Sequence, residues 1–139
     1  LKRLTRNIYP GLICGTIIMV LCGLPGSYFP TIRTFWDWLG PDKILHSAMF
    51  ALFSFSVIFG YRKQYCERDD SYRKKLVLIT LGISFFYSGL TELLQTYIFK
   101  GRYGSVYDFL ADVIGCVLGL FIFKIIFRKK IEKNSPDIQ

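Results

Sequence analysis

The chain has one histidine, four cysteines and only ten acidic residues against eighteen basic ones. No two cysteines form a Cys-x-x-Cys pair: Cys14, Cys22 and Cys116 lie in apolar runs and Cys66 in a charged stretch. That usage supports neither a disulfide framework nor a thiolate zinc site. Internal repeats and low-complexity tracts are missing too, which leaves no repeat array to consider.

Apolar length is what the sequence has in abundance. Of 139 residues, 52% are hydrophobic, and four runs, 8–24, 44–61, 76–99 and 107–127, approach the roughly 20 residues that a bilayer demands. The expected fold class is therefore all-α: a polytopic membrane bundle of four transmembrane helices forming one integral membrane domain over residues 1–139. The first two runs are the shortest of the four.

The basic residues give the orientation. Lys2, Arg3 and Arg6 precede the first run, and Arg62, Lys63, Arg68, Arg73, Lys74 and Lys75 separate the second from the third. Arg128, Lys129, Lys130 and Lys133 follow the fourth. Only Arg33, Lys43, Lys100 and Arg102 fall on the other side, so the positive-inside rule predicts a multi-pass cell-membrane protein with both termini cytoplasmic. The net charge of +8 is thereby mostly topological, and nucleic acid is not expected as a partner.

A basic start followed by an apolar run is also the pattern of a signal peptide. Around residues 20–26, however, no Ala-x-Ala site occurs, and bulky Leu21 before Cys22 makes a poor lipoprotein cleavage box. The first run is expected to stay as a helix. After it, Pro25 and Pro30 on one side and Gly40 and Pro41 on the other bracket a stretch containing Phe35, Trp36 and Trp38, the composition of a short interfacial segment. Residues 100–105 form a tight link with two glycines, and Ser105 is placed to cap the last helix. Residues 62–75 are expected to be mobile and the tail 131–139 disordered, given their charge.

Polar residues inside the apolar runs are functional candidates, since each costs several kcal/mol in lipid unless paired or hydrated. At 1.5 Å per residue, His46 lies about 6 Å, Glu92 about 10 Å and Asp112 about 7 Å below the outer boundary. Three helices thus carry polar groups at similar depth. Asp42 and His46 are four residues apart, as are Asp108 and Asp112, while Glu92 and Gln95 are three apart, so each pair shares one helical face. For Ser88 and Gln95 alone, interhelical hydrogen bonding is sufficient reason to be there. A carboxylate is a costlier glue, which makes Glu92 and Asp112 stronger candidates. Gly11-x-x-x-Gly15 and Gly115-x-x-x-Gly119 are read as packing devices.

Four ordered motifs now stand out: Asp42-Lys43-Ile44-Leu45-His46, Thr91-Glu92-Leu93-Leu94-Gln95, Arg102-x-Gly104-Ser105-Val106-x-Asp108, and Asp112-x-x-Gly115. Over residues 41–120 the chain resembles the VanZ-like membrane proteins. It departs from them at Asp112, where many members have Asn, and at Phe99-Lys100, where a Pro-Gly-like turn is frequent. The resemblance implies a bacterial multi-span protein, and the founding member is associated with resistance to the glycopeptide teicoplanin. It implies no established reaction, and an antibiotic-resistance role remains one option beside envelope or lipid-linked ligands.

Charge sharpens the candidates. Asp42, Glu92, Asp108 and Asp112 oppose Lys43 and Arg102, with His46 undecided, so clustered carboxylates would repel at low dielectric. Salt pairing, proton retention and a divalent cation such as Mg²⁺, Mn²⁺ or Ca²⁺ are the physical remedies. Two function classes follow. In one, Lys43, His46, Glu92, Gln95, Arg102, Asp108 and Asp112 bind a membrane lipid headgroup, a lipid-linked envelope precursor or a lipophilic glycopeptide. In the other, an enzyme acts on such a lipid, with His46, Glu92, Asp108 and Asp112 as catalytic candidates. A proton or ion conduit is disfavoured, because the cytoplasmic halves carry no matching ladder of ionisable groups.

Overall fold

The computed structural model describes residues 2–24, 41–99 and 106–133, and every element among them is helical. The helices are α1 (Lys2–Gly23), α2 (Pro41–Gly60), α3 (Arg62–Glu67), α4 (Asp70–Tyr97) and α5 (Val106–Lys133). Three are long and apolar enough to cross a membrane, over Lys43–Gly60, Asp70–Tyr97 and Val106–Glu132, and a shorter apolar helix covers Asn7–Gly23. Helices α4 and α5, at 28 residues each, extend about 42 Å and exceed the hydrocarbon thickness of roughly 30 Å.

Burial is inverted relative to a protein built for water. Phe86, Leu78 and Val106 are more than two-thirds exposed, whereas His46, Gln95, Thr91, Ser84, Ser88 and Asp112 are buried. Backbone hydrogen bonds are satisfied within each helix, so only side chains remain to be matched to lipid outside and to one another inside. The protein is a multi-pass membrane helical bundle.

Helix α2 is central, packing most extensively on α5 and also on α1 and α4. Its contact with α5 is made by small residues. A Cβ at Gly115 would collide with the carbonyl of Ser47, and one at Gly119 with the carbonyl of Ala51 and the hydroxyl of Ser54. Ser54 Oγ donates to the Cys116 carbonyl at 2.9 Å across the same seam. On the other side of α2, a Cβ at Gly11 would stand 2.8 Å from Val57, and Tyr87 of α4 donates its hydroxyl to the Gly15 carbonyl at 2.5 Å. Both glycine pairs therefore seat helices against their neighbours.

Two boundaries differ from the sequence expectation. Residues 62–75 are helical for most of their length: 62–67 form α3 and 70–75 the first turns of α4. Tyr65 packs edge-on against Phe123 at 5.2 Å, and Arg73 Nε donates to the Tyr65 carbonyl at 3.0 Å. Charge dominated that stretch, but two buried residues, Tyr65 and Cys66, anchor it. The last helix also runs on through Lys133, with Ile131 packed on the Tyr65–Phe123 cluster, so residues 131–133 are ordered helix and not tail. The interfacial segment expected near residues 25–40, the 100–105 link and residues 134–139 lie outside the described residues.

Candidate functional site

The helix directions bring the polar residues together. His46 near the start of α2 meets Asp112 near the start of α5, and Phe59 near the end of α2 meets Phe127 near the end of α5, so these two run parallel. Helix α4 runs the other way: Ser88, late in α4, bonds Asp112, while Leu76, early in α4, clusters with Phe123. One end of the bundle thus receives the start of α2, the end of α4 and the start of α5.

His46, 2% exposed, places Nδ1 3.1 Å from Asp112 Oδ1 and 3.9 Å from Glu92 Oε1. Asp112 is fully buried, and its second oxygen accepts from Ser88 Oγ at 2.8 Å. Ser88 is itself placed within α4, where Thr91 Oγ1 donates to its carbonyl at 2.8 Å. Nearer the helix starts, Lys43 Nζ lies 3.7 Å from Asp108 Oδ1, a longer charge pair with the lysine side chain about one-third exposed. The candidates therefore occupy two levels: a buried His46–Glu92–Asp112 group, and a Lys43–Asp108 pair one helical turn away. Gln95 is buried on the same helix as Glu92, and its amide nitrogen has no hydrogen-bond partner among the described residues. Arg102 and the side chain of Asp42 lie outside the described residues.

One ligand atom from each of His46, Glu92 and Asp112 lies within 4.8 Å of the others, a grouping able to hold a cation. Chemically, the same group can orient an imidazole, share a proton or coordinate a metal. Ser88 makes the interhelical hydrogen bond expected of it, and its partner is the Asp112 carboxylate, which it positions. Its signal was present in the stripe Ser84, Ser88, Thr91, Gln95, whose spacing of four, three and four traces one face of α4.

Two grooves lie elsewhere. One of about 510 Å³ is bordered by α1, α2 and α4 around Gly11, Phe53 and Tyr87. Another of about 740 Å³ lies between α4 and α5 toward the opposite end, with Arg73, Lys74 and Lys124 on apolar walls that include Leu78 and Phe121. Neither borders the His46 group.

The profile of the VanZ/LLP1 family matches residues 12–128. The chain belongs to the VanZ/LLP1 family. The match runs from within α1 to near the end of α5, so the VanZ/LLP1 core includes all three helices that carry the His46 group. No curated protein and no solved structure matches the chain.

Proposed function

We propose that this VanZ-like protein binds an envelope lipid headgroup, a lipid-linked precursor or a lipophilic glycopeptide, through its phosphate or carboxylate, at the end of the bundle occupied by His46, Glu92 and Asp112. The observation that carries this reading is the burial of two carboxylates within 3.9 Å of one imidazole among three spanning helices. Apolar or small polar residues would hold such helices together at lower cost. Lys43 and Arg102 supply the cationic groups for phosphate or carboxylate, with Arg102 in the link that joins the end of α4 to the start of α5. Basic residues crowd the opposite end, so the same reading puts both termini in the cytoplasm of a bacterial cell and the site in the outer leaflet.

Lipids extracted from the purified parent, Glu92→Gln, Arg102→Ala and Lys129→Ala test it by native mass spectrometry. A specific anionic lipid should persist in the parent and in Lys129→Ala and be depleted in the other two. Identical lipid profiles in all four would refute it.

A second reading, chemistry on such a lipid, is favoured by one arrangement. Ser88 holds Asp112, and Asp112 in turn orients His46, as an acid–base imidazole needs. Time-dependent conversion of the retained lipid, abolished in His46→Gln, would select this reading over simple binding.

A further inference from the structure

We propose that His46, Glu92 and Asp112 bind one divalent transition-metal ion, of the Mn²⁺ or Zn²⁺ class, between α2, α4 and α5. The inference adds a cofactor to the lipid-binding reading and does not depend on it.

Geometry comes first. An ion held about 2.0–2.2 Å from N and O ligands separates them by roughly 3 Å when adjacent and 4.2 Å when opposite. The imidazole Nδ1 stands 3.1 Å from one carboxylate oxygen and 3.9 Å from the other, and all three ligand atoms lie within 4.8 Å. Small side-chain rotations would bring the three atoms onto one ion. The three ligands come from three different helices, so a bound ion would also fasten the bundle at this end.

Charge is compatible with the ion. A neutral imidazole, two carboxylates and a divalent cation sum to zero, the state that burial favours. Protonating His46 alone leaves a net negative charge among side chains at most about one-tenth exposed. Lys43 does not supply the balance, because it lies beside Asp108 one turn away.

The donor set narrows the metal. One imidazole with two carboxylates and no thiolate suits Mn²⁺ or Zn²⁺, since imidazole is a poor partner for Mg²⁺ and Ca²⁺. One outer contact is of the kind that metal ligands require: Ser88 Oγ holds Asp112 Oδ2 at 2.8 Å, which leaves Oδ1 for the ion. Three protein ligands leave at least one position open. Gln95, three residues beyond Glu92 on the same buried face and with its amide nitrogen unpartnered, is available to donate to whatever oxygen occupies that position.

The test uses the full chain in detergent, stripped with a chelator, freed of any affinity tag and then given Mn²⁺ or Zn²⁺ alone. One ion per chain should bind, and the Mn²⁺ form should show a single-histidine ¹⁴N coupling in pulsed electron paramagnetic resonance. Because the chain contains one histidine, that signal can come only from His46. Glu92→Gln and Asp112→Asn should each weaken binding at least tenfold, Ser88→Ala by about 10–100-fold, and Lys43→Ala should leave the ¹⁴N coupling in place. Absence of stoichiometric binding by the folded parent, or a Mn²⁺ signal without ¹⁴N coupling, overturns the proposal; so does parent-like affinity in folded Glu92→Gln and Asp112→Asn. If those variants do not fold, stoichiometry and ¹⁴N coupling in the parent decide it. The probe is the ion alone, so failure here leaves the lipid measurements intact, and loss of lipid binding leaves these intact.

Discussion

His46 and Asp112 are 66 positions apart in the chain and 3.1 Å apart in the fold. Their meeting depends on the residues beside them. Ser47 follows His46, Gly115 lies three positions after Asp112, and a Cβ on Gly115 would collide with the Ser47 carbonyl. The same close approach of α2 and α5 that glycine permits lets an imidazole from one reach a carboxylate on the other.

Gly115→Leu should therefore force α2 and α5 apart and lower the folded yield, while membrane insertion, which depends on segment hydropathy, is retained. Gly82→Ala is the counterpart: nothing lies within 4 Å of the added carbon, and the helix gains about 0.5–1 kcal/mol. Size-exclusion profiles and thermal melts of the two in detergent check the contrast. Parent-like behaviour of Gly115→Leu would remove the close-packing account.

Ser88→Ala removes a single buried hydrogen bond to Asp112, and the expected cost is about 0.6 kcal/mol, the average for such bonds between membrane helices, and at most about 1.7 kcal/mol. Asp112→Ala should cost more, because it leaves both Ser88 and His46 without their carboxylate. Reversible unfolding in mixed micelles should rank parent above Ser88→Ala above Asp112→Ala. A reversed order would show that Asp112 is a burden that the fold tolerates without its partners.

Ser71, exposed near the start of α4, reports topology. With Ser71→Cys in intact cells, a membrane-impermeant maleimide should fail to react and should label only after permeabilisation, if the basic end is cytoplasmic. Labelling from outside would invert the orientation and move the His46 group to the inner leaflet.

Between the second and third spans, burial pushes the Cys66 thiol above its ordinary value, with Lys130 and Arg73 partly offsetting the effect and Glu67 adding to it. A raised folded value means that this contribution is fully present below the unfolded pKa of about 8.5 and is lost as pH rises through the folded one. Melting temperature should accordingly fall on the alkaline side, with a smaller slope in Cys66→Ala than in the parent. Equal slopes in scans from pH 7 to 10 would show that the thiol does not carry the effect.

Much of this arrangement was legible beforehand, and the parts that were not share a cause. Counting residues from the segment ends put His46, Glu92 and Asp112 at matching depth, because helical rise is constant along each segment. The same rise puts Asp108, four residues before Asp112, one turn nearer the boundary, and the fold seats it there beside Lys43. Residues 62–75 read as mobile because charge outnumbers apolar residues there; the burial of Tyr65 depends on Phe123, 58 positions later. Ser88 was placed on the right face of α4, but a helical face does not name the atom it meets.

By itself, the sequence determined that the chain consists of apolar helices with polar groups near one end and basic groups near the other. Hydropathy, helical period and charge belong to single segments and need no partner to be read. Only the tertiary structure decided that Asp112 lies between His46 and Ser88 and that Lys43 turns to Asp108. Those contacts depend on the rotation of α2, α4 and α5 about their axes and on how closely they approach, and for α2 and α5 the approach is set where the backbones pack at Gly115 and Gly119.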